Sequence, residues 1–409
     1  MMAKSMGNKN TSLLKLVEER ALSKKAEEEK KQNHVPYIPG ECISNILVRL
    51  PLESLQKSRF VCKPWYNMIN SSIFIDDHFG RSEAVLIFLT PVAKEKPNTF
   101  SVEANILLSE SIPIFNQPII HPTSKYYIQF LEIEDGKSKV VDFNASCLGC
   151  IRATCNGLIL LDNKLKKGGL IVLNPVTRKL RALPPGTIYP SHRESYGFAL
   201  SHLTSEYKVV HLFRDEMGYI GCEILNLGTI SWTVVNGPSS GLFGWFGYEP
   251  VSAIGALHWV PQVDHNEYLV SMEIDDEKFH SIPLPKSSGR HDGIVEMRGL
   301  LCFVTHEEEI NQMDIWILKG LCHEKWIKQH SITMGCIMDM VPLFSLRINE
   351  EMIFKRDEDG SLYAYDFQLR VMRQVEMPMG FSPLFGCCLP HINSMISWYT
   401  KERSKEDSD

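Results

Sequence analysis

The sequence predicts an α+β multidomain protein in which a small all-α helical cluster precedes an all-β, kelch-like β-propeller. Apolar residues keep helical spacing only between Ile38 and Phe79. After Gly80 they occur in short runs bounded by turn-forming residues such as Asn-Gly, Asp-Gly and Pro-Pro. A strand–turn–strand unit recurs in this second region at a period of about fifty residues, the size of a four-stranded propeller blade.

Composition narrows the classes of function. The 409 residues include 44% hydrophobic and 22% charged residues, as in ordinary soluble proteins. The net charge of −6 gives no support to a nucleic-acid partner. No apolar run approaches the roughly eighteen residues of a membrane helix, and the N-terminus lacks the apolar core of a signal peptide. We therefore expect no membrane partner and a cytoplasmic and/or nuclear location, and we expect the eleven cysteines to be buried thiols rather than a disulfide framework.

Amino-acid composition and hydrophobic patterning along the chain predict four segments. Residues 1–34 are rich in lysine and glutamate, which is typical of a disordered or frayed-helical leader. Residues 35–80 form the helical cluster and residues 84–400 the propeller, and a disordered tail covers 401–409.

The first predicted helix carries one apolar stripe. Its members fall at i, i+3, i+4 and i+7, namely Ile43, Ile46, Leu47 and Leu50. Pro39 suits the first helical turn because the N–H that it lacks is not needed there. Pro51 then ends the helix.

Two or three further short helices follow. Residues 52–59 predict the second helix, and Val61, Trp65, Met68 and Ile69 form the stripe of a third. We expect Ser72 to cap a last turn that carries Phe74 and His78. Such a cluster is too small to build a stable core alone, and it usually has a partner.

This stretch resembles an F-box. The family pattern is Leu-Pro, an acidic residue, Ile-Leu, a basic residue, Leu-Pro, and later Arg-x-Val-Cys-Lys-x-Trp. The matching residues are Ile38-Pro39, Glu41, Ile46-Leu47, Arg49, Leu50-Pro51 and Arg59 to Trp65. Ile38 replaces the usual Leu, and Gly40 stands just inside the first helix.

The resemblance implies that these helices dock on a small Skp-family adaptor. The candidate docking residues are Ile38, Pro39, Ile43, Ile46, Leu47, Leu50, Pro51, Leu55, Val61, Cys62 and Trp65. Some of them must instead hold the helices together, and the sequence alone does not divide the two groups.

The repeated unit in the second region is a strand, a tight polar turn and a strand that opens with a bulky residue. The bulky residues are Leu180, Trp232, Phe279, Trp326 and Met372. An upstream copy, FLEIEDGKSKVVDF, makes an earlier blade, so the count favours six blades. Seven would follow if AVLIFLT and residues 384–398 built a blade of their own instead of completing the first by pairing.

Four apolar runs are candidates for the inner strands of the blades. They are residues 158–161, 207–213, 256–260 and 300–304. We expect inner strands to be buried on both faces, and such strands are continuous apolar runs rather than alternating ones.

The second region also resembles the F-box-associated domain of plant F-box proteins. The matching pieces are Cys155-Asn156-Gly157-Leu158-Ile159, Asn174-Pro175-x-Thr177-Arg178, Leu183-Pro184-Pro185, Gly197-Phe198, Tyr207-Lys208-Val209-Val210, Ser231-Trp232 and Gly255-x-Leu257-His258-Trp259. Together with the F-box, the resemblance covers most of the chain from Ile38 to about Val375. These motifs are specific for the family and not for any target.

Three short patterns resemble catalytic or metal-binding motifs but lack the neighbouring elements that such motifs need. Gly237 to Gly241 fits G-x-S-x-G, yet no helical pattern follows, so we expect a turn. Cys147 and Cys150 form one C-x-x-C without the second ligand pair that zinc needs. His258 lies in a strand and is expected to be a satisfied core histidine. We therefore predict no catalytic residue, no metal and no cofactor.

The connections between blades are the candidate target-binding segments, because a propeller places them all on one face. Residues 186–195, 236–249 and 286–292 would gather aromatic, arginine and histidine side chains, the types that dominate interfaces. These are Tyr189, His192, Arg193, Trp245, Phe246, Tyr248, Arg290 and His291. In the alternative interpretation, the aromatic residues pack into an irregular first strand of the next blade.

The two resemblances together imply a substrate-receptor subunit of an SCF-type cullin-RING ubiquitin ligase. The F-box would bind the Skp-family adaptor and, through it, the cullin and RING subunits, while the propeller would hold an unknown target protein. Such a receptor is not an enzyme, because it only raises the effective concentration of a target lysine. The alternatives are a lectin-like propeller that reads glycans on the target, through Trp245 and Tyr248, and a non-degradative scaffold. A propeller oxidase or hydrolase is least favoured, since no ligand cluster or nucleophile supports it.

Overall fold

The structure is a computed structural model that describes residue 20 and residues 38–91, 126–147, 149–162, 168–188, 194–214, 216–238, 249–261, 267–287, 291–321, 325–333, 339–378 and 388–398. The chain divides into two compact units, Met1–Phe74 and Ile75–Asp409. Within the described ranges, no helix has the length and apolar character needed to span a membrane.

Four short helices follow one another between residues 40 and 80. They are α1 (Gly40–Leu47), α2 (Leu52–Ser58), α3 (Lys63–Ile69) and α4 (Ser72–Gly80). Pro39 and Pro51 stand directly before α1 and α2, where no N–H is required. The predicted helices are confirmed. The cap of α4 differs, because the backbone N–H of Phe74 donates to Ser71 Oγ at 3.3 Å and Ser72 is already helical.

In the part of the chain that the structure describes, twenty-four strands form six four-stranded sheets. In chain order they are β1 (Ala84–Pro91), β2 (Tyr126–Glu134), β3 (Lys137–Cys147), β4 (Ile151–Cys155), β5 (Leu158–Asp162), β6 (Leu170–Asn174), β7 (Lys179–Ala182), β8 (Glu194–Leu200), β9 (Tyr207–Arg214), β10 (Ile220–Asn226), β11 (Ser231–Val235), β12 (Val251–Ala253), β13 (Ala256–Trp259), β14 (Tyr268–Glu273), β15 (Lys278–Pro283), β16 (Gly293–Met297), β17 (Leu300–Glu307), β18 (Gln312–Leu318), β19 (Trp326–Thr333), β20 (Met340–Ser345), β21 (Glu351–Arg356), β22 (Leu362–Asp366), β23 (Val371–Gln374) and β24 (Leu389–Ile392).

The sheets are the six blades of a closed propeller. Blade 1 has the strand order β24-β1-β2-β3, and blades 2 to 6 each take four consecutive strands. The first strands β24, β4, β8, β12, β16 and β20 contact one another in turn and form the inner ring. Ala84 of β1 pairs with Ile392 of β24, so the C-terminal segment completes the first blade. The prediction of six blades is confirmed, and the alternative of seven is wrong.

The predicted inner strands are wrong. The apolar runs form β5, β9, β13 and β17, which are second strands. A second strand is covered by neighbouring blades on both faces, and all of residues 158–161 are completely buried. A first strand has one edge on the central channel, so its sequence is less continuously apolar.

The core lies between neighbouring blades rather than within any one sheet. The cluster between blades 3 and 4, for example, packs Leu212 and Cys222 against Trp259 and Met272. Equivalent clusters join blades 2 and 3, 4 and 5, 5 and 6, and 6 and 1. Because each sheet buries both faces against its neighbours, the propeller carries its own core.

Alternating strand direction divides the connections between two faces. Turns that join first to second and third to fourth strands lie on one face, here called the tight-turn face. Loops that join second to third strands, and connections between blades, lie on the opposite long-loop face. The described ends of the three connections predicted to share a face lie on the long-loop face.

Candidate protein-docking surfaces

Among the residues of the first unit that the structure describes, six large apolar side chains are at least half exposed to solvent. They are Ile38, Ile46, Phe60, Val61, Tyr66 and Ile73. Phe60 is the most exposed, at 87%. A surface so rich in apolar groups on a unit of this size is typical of a protein-binding site.

A separate set of apolar side chains forms the core of the helices. It comprises Leu47, Val48, Leu52, Leu55, Ile69 and Phe74, all buried. The stripe predicted on α1 is therefore divided, because Ile46 points to solvent whereas Leu47 is 1% exposed. Ile43 and Leu50 lie between these extremes.

This division corrects the predicted docking set. Leu47 and Leu55 are fully buried, so they hold the helices together. We therefore remove them from the candidate docking residues. Ile38, Pro39, Ile46, Pro51, Val61 and Cys62 are exposed, and Ile43, Leu50 and Trp65 are half-buried. These nine residues stay predicted docking residues.

Sequence reasoning missed Phe60, Tyr66 and Ile73 as surface residues. Phe60 occupies the variable position of the Arg-x-Val-Cys motif, directly before Val61. A run of three apolar residues between two short helices was the available signal, because a turn cannot direct all of them into one small core.

The turn from Phe60 to Cys62, here called the docking turn, has an ordered backbone although its side chains are exposed. The N–H of Phe60 donates to Lys57 O at 3.1 Å, and that of Val61 donates to Ser58 O at 3.2 Å. Cys62 is extended and leads into α3. A backbone fixed before binding reduces the conformational entropy that a partner must remove.

On the second unit, the structure describes one of the eight predicted target-binding residues. His291 lies edge-to-face against His306, with ring centroids 6.4 Å apart. Tyr189, His192, Arg193, Trp245, Phe246, Tyr248 and Arg290 lie outside the described residues. The described part of the long-loop face also exposes Ile188, Met217, Tyr219 and Ile310.

A buried charge network runs beneath this face through blades 2 and 3. Arg152 Nε contacts Asp162 Oδ1 at 2.7 Å, and its Nη2 contacts Glu194 Oε1 at 3.2 Å. His211 then bridges Glu194, at 3.3 Å, and Glu223, at 2.8 Å. Burial opposes the charge on Arg152 and His211, but the carboxylates raise the pKa of both above their ordinary values.

Glu223 links this network to a blade connection. Its carboxylate accepts hydrogen bonds from the N–H of Thr187, at 2.7 Å, and from its hydroxyl, at 2.9 Å. Burial would raise the pKa of Glu223, yet the bonds from His211 and Thr187 lower it below its ordinary value. The network therefore fixes the start of the connection between blades 2 and 3.

Of the patterns that suggested chemistry, G-x-S-x-G cannot be followed, because its residues 239–241 lie outside the described residues, whereas the cysteines can. Burial raises the pKa of Cys155, Cys222, Cys302 and Cys388 to about 12, so these thiols are inert at neutral pH. Of the C-x-x-C pattern, Cys150 is half-buried, and the side chain of Cys147 lies outside the described residues. Among the residues that the structure describes, no group of three or more His, Cys, Asp or Glu could hold a metal ion.

Comparison with known families matches both units. A family model described as the F-box associated beta propeller domain matches residues 130–376, and an F-box domain model matches residues 37–77. The chain belongs to the plant F-box proteins with an F-box-associated β-propeller domain. In general, such proteins are non-catalytic substrate adaptors of SCF complexes, and an F-box implies binding to a Skp-family adaptor.

Relatives of this F-box protein come from Arabidopsis thaliana. F-box protein At2g43440 is 25% identical over 62% of this chain, which corresponds to 56% of the relative's length. F-box protein CPR1 is 25% identical over 72% of this chain and 73% of the relative. Among solved structures, TolB from Acinetobacter baumannii superposes with a TM-score of 0.42 at 9% identity, covering 81% of this chain and 73% of that chain.

The family motifs of this F-box protein fasten parts of the propeller together. Asn174 Nδ2 donates to Ser394 O at 3.1 Å and to Ile396 O at 2.8 Å, which holds the C-terminal segment against blade 2. Lys208 Nζ crosses from blade 3 to blade 4, where it donates to Ile274 O at 2.9 Å.

His258 has the role predicted for it. Its Nδ1 lies 2.7 Å from Ser271 Oγ and its Nε2 lies 3.1 Å from Ala253 O, so both nitrogens are paired. Burial lowers the pKa of His258 to about 4, which keeps the ring neutral. A neutral, fully bonded histidine in the core has no free atom for a ligand.

Proposed function

We propose that this F-box protein is the substrate-recognition subunit of an SCF-type cullin-RING ubiquitin ligase. The F-box binds a Skp-family adaptor and, through it, the cullin and RING subunits. The propeller holds a target protein, which is ubiquitinated and degraded. The protein acts in the cytoplasm, the nucleus or both.

The contrast between the two units carries this proposal. The propeller buries its apolar clusters between six blades and closes its ring with β24. The described residues of the first unit leave six large apolar side chains exposed, and two of them, Phe60 and Val61, lie in the docking turn. An apolar surface beside an ordered turn suits a helix-in-groove or helix-on-helix contact with a partner.

The first test measures adaptor binding. Phe60→Ser removes the most exposed apolar side chain, so the variant should fold normally and bind the adaptor about 5- to 150-fold more weakly, the usual range for an interface anchor. Leu203→Ser is the matched control, because Leu203 is 79% exposed but lies on the propeller. Its adaptor affinity should equal that of the wild type. Unchanged affinity of a folded Phe60→Ser, Val61→Ser double variant would contradict the proposed docking surface.

The second test separates a ligase receptor from a scaffold. Proximity labelling with the full chain, compared with and without proteasome inhibition, identifies proteins that accumulate only when degradation is blocked. Such a protein should be ubiquitinated when the purified chain, adaptor, cullin and RING subunits are combined. Bound proteins whose abundance never responds to the inhibitor would favour the scaffold.

A further inference from the structure

The outer strand of blade 3, β11 (Ser231–Val235), has a strand beside it on only one of its two edges. It pairs with β10 and stands last in the sheet order β11-β10-β9-β8. Apart from that pairing, no backbone hydrogen bond to residues 231–235 occurs among the described residues. Alternate N–H and C=O groups of such a strand point outward, so they offer a template on which another chain can add.

β11 differs from the other outer strands in its lack of charge. In the part of the chain that the structure describes, β3, β7, β15, β19 and β23 each carry a lysine or an arginine, namely Lys137, Lys179, Lys278, Lys328 and Arg373. Charged side chains, lysine above all, protect exposed edges from pairing with another chain. No residue from 224 to 238 is charged, although charged residues make up 22% of the chain. The edge of β11 therefore lacks the protection that the other outer strands have.

Two apolar side chains flank this edge on the face of the sheet turned toward blade 2. Val234 is 80% exposed, and Trp232, two residues before it on the same face, is half-buried. The indole N–H of Trp232 donates to Pro184 O, in the connection that follows blade 2, at 3.1 Å. A Cβ atom at Gly186 would lie 3.1 Å from the indole ring, so the ring is packed closely and held in one orientation. Trp232 and Val234 thus form a fixed, partly exposed apolar surface beside the open edge.

The other face of β11 is polar where it is exposed. Ser231 and Thr233 are exposed there, whereas Val235 is half-buried against the cluster between blades 3 and 4. A strand added beside β11 alternates in the same way, so its apolar side chains lie next to Val234 and its polar side chains next to Thr233. Because β11 ends at the long-loop face, the added segment leads onto that face.

The size of the edge favours a short segment over a second copy of the chain. β11 is five residues long, or about 17 Å. Two propellers joined only along this strand would bury far less than the roughly 1,200 Å² of a stable protein interface. A linear segment needs no such area, because main-chain hydrogen bonds hold it and a few side chains select it.

We propose that β11 binds, by strand addition, an uncharged extended segment of the target protein in which apolar and polar residues alternate. The inference deepens the proposed function and rests on it, since the segment belongs to the same target. A charged residue beside Trp232 and Val234 would lose water without gaining a partner, which disfavours it. The main-chain hydrogen bonds supply affinity and are alike for many sequences, so the loops of the long-loop face remain free to add specificity.

The test uses the full chain in complex with its adaptor and an array of nonapeptides. The peptides are built from valine, isoleucine, phenylalanine, tyrosine, threonine and serine, with a lysine at each end for solubility. Each binding peptide is made again in two versions, which carry backbone N-methyl groups on one or the other set of alternate residues. N-methylation removes a backbone donor and keeps the side chain. In an added strand only one set of N–H groups faces β11, so one version should bind roughly 30-fold more weakly, for two or three lost hydrogen bonds, and the other as before.

A charge on the edge should act in the same direction. Val234→Lys gives β11 the protection that the other outer strands have, so peptide binding should weaken at least about fivefold. Val371→Lys is the matched control, because Val371 is an exposed valine on β23, the outer strand of blade 6. Its peptide affinity should equal that of the wild type. If Val234→Lys lowers the melting temperature, Thr233→Lys, at another exposed position of β11, serves in its place.

Three results would overturn the proposal. They are an array without a binding peptide, binding that both methylated versions lose or both keep, and equal binding by Val234→Lys and Val371→Lys. Dimerisation of the chain that Val234→Lys abolishes would also overturn it, because the edge would then serve a second copy. Adaptor binding by Val234→Lys is measured separately and should equal that of the wild type, so failure of the β11 site is distinguishable from failure of the ligase assignment.

Discussion

His391 is a buried histidine whose replacement by leucine should stabilise the propeller. It lies on β24, 3% exposed, with its ring centroid 5.4 Å from that of Phe130. Neither ring nitrogen has a hydrogen-bond partner among the described residues. Leucine has a similar volume and no polar atom, so His391→Leu removes two unsatisfied groups. The free energy of unfolding at pH 7 should rise by about 1–3 kcal/mol.

The difference in stability between His391→Leu and the wild type should be larger at acidic pH. Burial lowers the pKa of His391 to about 3, far below the value of about 6.5 in the unfolded chain. The unfolded state therefore binds a proton that the folded state excludes, so stability is full above pH 6.5 and is lost as the pH falls. At about 1.4 kcal/mol per pKa unit, His391 alone costs the wild type about 2 kcal/mol between pH 7 and pH 5. The variant should avoid this loss.

Urea unfolding followed by tryptophan fluorescence at pH 7 and pH 5 measures both effects. His258→Leu is the control, because it also removes a buried neutral histidine but leaves Ser271 and the carbonyl of Ala253 without their partner. That variant should be less stable than the wild type at pH 7. His211, whose pKa is raised, is present in all three proteins and cancels from the comparison. The reasoning fails if His391→Leu is destabilised at pH 7 and loses as much stability as the wild type between pH 7 and pH 5.

Two further predictions concern contacts between parts of the propeller. Asn174→Ala removes two hydrogen bonds to the C-terminal segment, so urea unfolding should show a loss of about 2 kcal/mol in the free energy of unfolding and chymotrypsin should cleave after Trp398 sooner; unchanged cleavage would show that this segment is held elsewhere. Gly197→Ala would place a Cβ atom 2.3 Å from Leu257 Cδ1 of the next blade. Because this overpacks the contact between the blades, the free energy of unfolding should fall by about 1–3 kcal/mol. Gly197→Ala combined with Leu257→Ala should recover part of that loss in the same assay.

The period of the sequence predicted the outer strands correctly because of how they pair. Leu180, Trp232 and the other three bulky residues are each the first or second residue of an outer strand and pair with the third strand of the same blade. The residue that precedes each of those strands in blades 2, 3, 4 and 6 has φ between +54° and +57°, although none is glycine. A residue with a left-handed backbone before a strand fixes the geometry of the turn, so the bulky residues keep their spacing although the loops vary.

The docking residues were predicted less completely, and the reason lies in the size of the helical unit. Helical spacing shows which residues share a stripe, but it does not show how wide a stripe the core can cover. Here the core accepts Leu47 and excludes Ile46, the neighbouring member of the same stripe. Short helices bury only part of each stripe, and the exposed part is the surface that we propose for the adaptor.

The motifs that place this chain in its family say little about its target, and the contacts explain why. Trp232 donates its indole N–H to Pro184 O of the preceding blade at 3.1 Å, and Trp326 makes the same contact with Pro283 O at 2.8 Å. Trp232 and Trp326, which lie two blades apart, thus make the same hydrogen bond to the preceding blade. A residue that fastens blades is constrained by the ring, whatever the target is. We therefore expect target specificity to lie in the loops of the long-loop face, whose exposed side chains include Met217 and Ile310.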